Sequence, residues 1–142
     1  MSAPARILVP VDGSDASLRA VDHAIALVRR GLAPGVHLLN VQPPVRGVGS
    51  FVSKGDLDTY HRDEGLKALA PAVERLEAAG IAFDRHIAVG EPGPTVAGFV
   101  TSLGAEHVVM GTHGRRAVTE MFLGSVARHV IGHCAVPVTL LR

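Results

Sequence analysis

The chain has 142 residues, of which 47% are hydrophobic and 19% are charged, and its formal net charge is +1. This composition excludes a disordered chain, and the balanced charge argues against a nucleic-acid or membrane-surface partner. The length predicts one domain, residues 1–142, that is large enough to bury a core. The single cysteine excludes an internal disulfide and suits a reducing compartment. No apolar run matches a membrane span or a signal peptide, so we expect a cytoplasmic protein.

The first forty residues predict two strands with a helix between them. Residues 6–11 and 36–41 are apolar runs that indicate strands one and two. Ser14 or Asp15 is the predicted cap of the helix, and Gly31 is its predicted end. The apolar positions of this helix lie three and four residues apart, at Leu18, Val21, Ile25 and Val28.

A loop and a long helix follow. Residues 42–54 are rich in Gly, Pro and Ser, and a loop of this length predicts a lid, a partner surface or a mobile segment. The helix ends at Gly80, and Pro71 inside it predicts a kink or an interruption. The apolar residues on one face of the helix are Leu66, Leu69, Val73 and Leu76.

Residues 83–89 predict a third strand, and their alternation of apolar and polar side chains is typical of a sheet edge. A turn is predicted at residues 90–94, with a third helix that starts near Pro94 or Thr95. The apolar residues of this helix are Val96, Phe99, Val100 and Leu103.

The last third of the chain predicts strand four at residues 107–110 and helix four at residues 125–133. The final strand starts at Val136 and ends at Leu141. Pro137 has no N–H to donate, so we expect this strand to lie at an edge of the sheet or to pair on one side only.

Alternating strands and helices, with fully apolar strands, predict an α/β fold: an open parallel sheet with helices on both faces and right-handed crossovers. Ligands of such sheets bind outside the carboxyl ends of the strands. If strands one and four are neighbours, the loops that follow them border the same crevice.

Two glycine-containing loops lie at those predicted positions. Gly111 and Gly114 follow strand four directly, and glycine allows the backbone to approach a ligand where a Cβ would collide. Gly124 and Ser125 open helix four, whose unpaired N–H groups and dipole favour an anion. Asp12 follows strand one, where a carboxylate can accept hydrogen bonds from ribose hydroxyls. These residues predict a nucleotide site.

The common phosphate and metal motifs are absent from these loops. Gly13 stands alone after strand one, which excludes Gly-x-Gly-x-x-Gly. The phosphate-binding loop with a Gly-Lys-Ser/Thr ending is also absent, because Lys54 and Lys67 lie elsewhere. Asp12 has no adjacent acid, which disfavours a receiver-type phosphoacceptor pocket, and no Cys and His spacing resembles a zinc site.

The chain resembles the universal stress protein family of the ATP-binding type. Gly111, Gly114, Gly124 and Ser125 match the family pattern Gly-x2-Gly-x9-Gly-(Ser/Thr) at every position. Four further segments are similar to family sequences: the first strand with its aspartate, a Gly-x-Pro turn, a Gly-Thr-His-Gly-Arg loop and the closing strand. These segments are residues 7–14, 90–92, 111–115 and 134–138.

The resemblance implies a Rossmann-like sheet of five parallel strands in the order 3-2-1-4-5. It also implies a homodimer through the last strand, from Val136 to Leu141, and an adenine nucleotide in the crevice. ATP is the expected nucleotide, with Mg²⁺ or Mn²⁺. Two departures from the family are Arg116, where a smaller residue is frequent, and Ala127, where some members have a hydroxyl group that contacts phosphate.

The same resemblance assigns roles to individual residues. Asp12 is expected to bind the ribose, and Val11 and Val41 to flank the adenine. Arg115 is either solvated or in contact with a phosphate. Residues that line the phosphate loop are Met110, Gly111, His113 and Gly114, and residues that hold the phosphates are Gly124, Ser125 and Val126.

Three classes of function fit this sequence. The first, which we favour, is a regulatory module in which ATP occupancy changes shape or partner choice. The second is a slow ATPase or phosphotransferase, and the third is a dimeric interaction protein without nucleotide. No general base paired with a nucleophile, no acidic metal pair and no catalytic lysine is evident, which disfavours rapid catalysis. His113 is interpreted as a solvated loop residue rather than a catalytic one.

Overall fold

The computed structural model describes residues 6–47, 52–114 and 123–142. Strands and helices alternate along these residues, as predicted. Among the helices within those three ranges, none is long and apolar enough to cross a membrane. The elements are β1 (Ile7–Pro10), α1 (Asp15–Arg29), β2 (Gly35–Gln42), α2 (Lys54–Ala79), β3 (Ala82–Val89), α3 (Pro92–Leu103), β4 (His107–Gly111), α4 (Ser125–His133) and β5 (Val138–Leu141).

The strands form one parallel sheet in the order β3-β2-β1-β4-β5. Ile7 of β1 pairs with Val36 of β2 on one side and with His107 of β4 on the other. This arrangement confirms the predicted α/β class and the strand order that the family resemblance implied. Strands β1 and β4 are neighbours, so the loops at their carboxyl ends open on the same edge of the sheet.

An apolar cluster on each face of the sheet forms the core. Successive residues of a strand point to opposite faces, so Val9 joins one cluster and Leu8 joins the other. Val21 of α1 and Leu69 of α2 are buried in the first cluster. Val100 of α3 is buried in the second, together with residues of α4. Helices therefore cover both faces of the sheet, as predicted.

Helix α1 begins and ends where the sequence predicted. Ser14 is its N-cap, and the Ser14 hydroxyl oxygen accepts the N–H of Ser17 at 3.2 Å. Asp15, the alternative cap, is the first helical residue, where a carboxylate favours the positive end of the helix dipole. Gly31 follows the end of the helix with a φ of 85°, a left-handed conformation that glycine adopts without strain.

Helix α2 runs through Pro71 without interruption, so the predicted interruption is wrong. Proline inside a helix removes one backbone hydrogen bond and costs about 3 kcal/mol. The helix persists because Leu69, Val73 and Leu76 are buried against the sheet, as predicted. Leu66 was predicted on the same face but is 36% exposed, at the margin of the buried stripe.

The ends of α2 agree with the sequence. The helix begins at Lys54, the predicted end of the loop, and Gly80 ends it with a φ of 69°. Residues 48–51 of that loop lie outside the described residues.

The predicted turn at residues 90–94 is too long. Helix α3 begins at Pro92 and already contains Pro94. Both prolines lie in the first turn, where the N–H groups have no helical acceptor, so their missing N–H groups cost little.

The two edge strands of the sheet are β3 and β5, as predicted. Strand β5 begins at Val138, two residues later than expected. Pro137 still contributes one bond to the sheet, because its carbonyl accepts the N–H of Val108 at 3.0 Å. Because proline has no backbone N–H, Pro137 cannot donate a hydrogen bond to a neighbouring strand.

Candidate functional site

A cavity of about 390 Å³ opens at the carboxyl ends of β1 and β4. Every predicted site residue that the structure describes lines this cavity. Those residues are Val11, Asp12, Val41, Met110, Gly111, His113, Gly114, Gly124, Ser125 and Val126. Arg115, the remaining predicted site residue, and Arg116 lie outside the described residues. The structure thus brings together residues from four separate segments of the chain.

Asp12 is the acidic residue of the cavity. One of its carboxylate oxygens, Oδ1, accepts the N–H of Ser14 at 2.9 Å. This bond orients the carboxylate at the start of α1. The other oxygen, Oδ2, lies against Gly114, where an added Cβ would overlap it. Asp12 is solvent-exposed, so its carboxylate is accessible as an acceptor for ligand hydroxyl groups.

The glycines of the cavity are needed for contacts within the protein. A Cβ on Gly111 would lie 2.8 Å from the Cβ of Ala16, and a Cβ on Gly124 would lie 3.1 Å from the Cα of His113. The sequence pattern predicted close approach of backbone to a ligand, whereas these contacts are with α1 and with the loop itself. Glycine at these positions keeps the loop compact and leaves the cavity open.

The N-terminus of α4 faces the cavity through Gly124, Ser125 and Val126. Gly124 is the N-cap, and it has no side chain with which to cap the first turn. Its own N–H donates to the carbonyl of Thr112 at 2.7 Å, which fixes the helix end against the β4 loop. The N–H groups of the first turn lack helical acceptors, so this end of the cavity suits an anion such as a phosphate.

Several apolar side chains line the cavity, and we call them its apolar wall. Val11 and Val41 lie there with Leu39, and Pro92 and Val96 extend the wall from α3. A flat aromatic base can be buried on such a wall. The lining therefore combines apolar side chains with a helix N-terminus that favours negative charge.

Asn40 is a supporting residue that the sequence reasoning missed. It is 3% exposed, and its amide Nδ2 donates to the carbonyl of Val11 at 2.8 Å. Gln42 in turn donates its amide Nε2 to Oδ1 of Asn40 at 2.7 Å. Since the N–H of Val11 also donates to the carbonyl of Leu39 at 2.8 Å, the end of β1 is held firmly. The sequence signal for Asn40 was an amide side chain between the apolar residues Leu39 and Val41.

The β4 loop is bonded to the last strand. The N–H of Thr112 donates to the carbonyl of Leu141 at 2.7 Å. The Thr112 hydroxyl and Nδ1 of His113 are 2.9 Å apart and share a hydrogen bond. The bond from the Thr112 N–H joins the β4 loop to the end of β5.

Further lining residues were not predicted from the sequence. Thr112 was passed over although it lies between two predicted residues, and Pro92 was assigned only to a turn. Ala127 was noted only as a position where some family members have a hydroxyl group, and the others are Pro10, Ser14, Ser17, Leu39 and Val96. Within residues 6–47, 52–114 and 123–142, no three or more His, Cys, Asp or Glu side chains are grouped to hold a metal ion.

The comparison with known proteins decides the family. A sequence model described as the universal stress protein family matches residues 5–142. The chain belongs to the universal stress protein family. Its resemblance to that family, first evident in the glycine pattern, is thereby confirmed.

Individual family members are similar over nearly the whole chain. Universal stress protein MJ0531 of Methanocaldococcus jannaschii is 29% identical over 143 residues, which cover 96% of this chain and 81% of that protein. The solved structure of hypothetical protein MJ0577 has a TM-score of 0.83 and 26% identity, and covers 99% of this chain and 96% of the other. A universal stress protein solved in complex with cAMP has a TM-score of 0.74 and 26% identity, with 99% of each chain covered.

Proposed function

We propose that this universal stress protein binds an adenine nucleotide, with ATP as its ligand, in the cavity at the carboxyl ends of β1 and β4. The observation that carries the proposal is the meeting of an apolar wall, an exposed carboxylate and an uncapped helix N-terminus around one cavity of about 390 Å³. Each part suits a different part of a nucleotide. The relative in complex with cAMP supports the choice of an adenine nucleotide.

The proposed roles follow from position in the cavity. Val11 and Val41 contact the adenine, because both lie on the apolar wall. Asp12 accepts hydrogen bonds from the ribose hydroxyls through the oxygen that Ser14 does not occupy.

The phosphates lie at the other end of the cavity. Backbone N–H groups of Ser125 and Val126 bind them at the first turn of α4. The remaining contacts come from the β4 loop, at Met110, Gly111, His113 and Gly114, with Arg115 as a further contact that follows directly in the chain. Mg²⁺ or Mn²⁺ bound with ATP would be held mainly by phosphate oxygens and water, as is usual for such cations.

We propose a regulatory rather than a catalytic use of the nucleotide. The hydrogen bond from Thr112 to Leu141 joins the phosphate end of the cavity to β5. Strand β5 is an edge strand, and we propose that it pairs with a second copy of the chain over residues from Val136 to Leu141. Nucleotide occupancy then alters the dimer or its partner surface. The same proposal treats residues 1–142 as one domain that acts in the cytoplasm.

The first experiment identifies the ligand. Protein is purified without added nucleotide and denatured, and the released small molecules are identified by mass spectrometry. Calorimetric titrations with ATP, AMP, cAMP and GTP follow on nucleotide-free protein. We expect ATP to be released or to bind most tightly, and GTP to bind at least tenfold more weakly. Absence of binding by all three adenine nucleotides would refute the proposal.

A further inference from the structure

The last turns of α4 carry two histidines in direct contact. His129 and His133 are four residues apart and therefore lie on the same face of the helix. The centroids of their rings are 3.8 Å apart, and the ring planes differ by 7°. His133 is exposed to solvent and His129 is half-buried. Neither histidine lines the proposed nucleotide cavity, and the pair has no part in the proposed function.

The hydrogen bonding of His133 fixes its tautomer. Its Nδ1 lies 2.8 Å from the backbone carbonyl oxygen of His129. A carbonyl oxygen only accepts, so Nδ1 carries the proton and Nε2 carries the free lone pair. Histidines that bind metal ions commonly show this arrangement, with one ring nitrogen donating to a carbonyl and the other facing the metal.

The position of His129 is fixed by packing. Gly93, in the first turn of α3, lies so close that an added Cβ would be 2.7 Å from Cβ and 2.8 Å from Cγ of His129. This contact holds the base of the side chain and touches the ring at Cδ2, 3.3 Å from the added Cβ. The two rings are stacked face to face, so their in-plane lone pairs run parallel, and binding of one ion by both requires the His129 ring to turn about χ2 and leave the stack.

We propose that His129 and His133 form a surface site for a divalent transition-metal ion that prefers imidazole ligands, such as Cu²⁺ or Zn²⁺. Two imidazoles on adjacent helical turns act as a chelate, because binding to the first places the second at a high effective concentration. Water completes the coordination, since the described residues offer no group of three or more His, Cys, Asp or Glu side chains. Bound metal clamps the last turns of α4.

The test is a calorimetric titration of chelator-treated full-length protein with Cu²⁺ and, separately, with Zn²⁺. We expect one ion per chain at the highest-affinity site. His133→Gln should weaken that site by roughly a hundredfold, the order of advantage that chelation provides. The matched control is His23→Gln, which also removes one histidine but lies in α1, and it should leave the site unchanged.

A second variant tests the spacing itself. The double change Ile131→His/His133→Gln keeps the number of histidines constant and places the pair two residues apart, on different faces of the helix. Ile131 is 47% exposed, so this change is compatible with folding. We expect the high-affinity site to be lost, and the thermal midpoint to rise with metal only in the wild type and in His23→Gln. Wild-type affinity in the spacing variant, or an equal loss in His23→Gln, would overturn the proposal.

Discussion

The two ends of the sheet each carry a cavity, and the two cavities differ in how their polar groups are satisfied. The carboxyl-end cavity is bordered by a helix N-terminus that has no side-chain cap and by glycine loops. The amino-end cavity, of about 330 Å³, is bordered by charged and imidazole side chains, including Arg6, His37 and Asp84. These groups have partners within the protein. Nδ1 of His37 lies 3.1 Å from Nε2 of His86 and 3.7 Å from a carboxylate oxygen of Asp84.

This difference explains why we assign a ligand to only one of the two. In a parallel sheet the helices that follow the strands begin at the carboxyl edge, so their N-termini face that edge. The first-turn N–H groups of α4 have neither a helical acceptor nor a side-chain cap, whereas His37 is bonded to His86. The two cavities are similar in volume. They differ in whether the polar groups that border them have hydrogen-bond partners within the protein.

The largest expected effect comes from displacing the loop that borders the phosphate end of the carboxyl-end cavity. Gly124→Val should abolish detectable ATP binding, because its side chain would collide with Thr112 and His113 and displace the loop. Calorimetry on protein that circular dichroism shows to be folded is the measurement. Gly132→Ala in the same helix is the control, since its Cβ would meet no atom within 4 Å.

Gly35, which lines the amino-end cavity, provides the comparison with Gly124. A Cβ on Gly35 would lie 2.5 Å from the carbonyl oxygen of Ala82 in β3. Gly35→Val should therefore lower the free energy of unfolding while the folded fraction binds ATP normally. Loss of affinity in Gly35→Val, or normal affinity in Gly124→Val, would erase the distinction between the two ends.

The second prediction compares the two edges of the sheet. Val138 and Leu140 on β5 are half-buried and apolar, whereas Asp84 and Arg85 on β3 are exposed and charged. Charged edge strands resist pairing and apolar ones invite it. We expect a dimer at micromolar concentration, and Val138→Asp should convert it to a monomer in analytical ultracentrifugation. A monomeric wild type, or an unchanged dimer in the variant, contradicts pairing through β5.

The third prediction compares two carboxylates. Asp12→Asn should weaken ATP binding by about 1.5–3 kcal/mol, the usual value of a hydrogen bond to a charged group. It should also reduce discrimination against 2′-deoxy-ATP. Asp84→Asn, at the other end of the sheet, should leave the affinity unchanged. Equal binding of ATP and 2′-deoxy-ATP by the wild type would remove the 2′-hydroxyl from the proposed contacts.

The fourth and smallest expected effect is on the pH dependence of folding stability. Burial lowers the pKa of His37, and His86 and Arg6 add to this effect while Asp84 opposes it. Burial likewise lowers the pKa of His107, with a contribution from His23.

A lowered pKa means that the unfolded chain binds the proton more readily than the folded protein does. The stability linked to these histidines is therefore complete above their ordinary pKa of about 6.5 and is lost as pH falls through the lowered values. His37→Gln should flatten the dependence of the urea midpoint on pH as pH falls below about 6.5. A steeper dependence in the variant than in the wild type would have the wrong sign.

Much of the fold was predictable because its signals are local. Apolar spacing placed the helices and strands, and Gly31 and Gly80 ended α1 and α2 as expected. The errors arise where tertiary contacts outweigh local preference. Burial of one face carries α2 through Pro71, and the first turn of α3 accepts Pro92 because its N–H groups have no helical acceptor.

The sequence predicted which residues line the cavity better than it predicted the contacts that require those residues. Glycine spacing and the carboxyl-end rule selected residues that the structure does bring together. That Gly111 packs on Ala16, or that Asn40 holds the end of β1, depends on strands and helices distant in sequence. A single sequence contains no local sign of such contacts. The pairing of His37 with His86 across β2 and β3 was hidden for the same reason.

The most direct test of nucleotide binding at the carboxyl end is an ATP titration followed by ¹⁵N-resolved NMR of the backbone amides. We predict saturable shifts at Gly114, Gly124 and Ser125, with those of Gly35 and His37 unchanged. Shifts confined to Gly35 and His37, or none at millimolar ATP, would contradict the account.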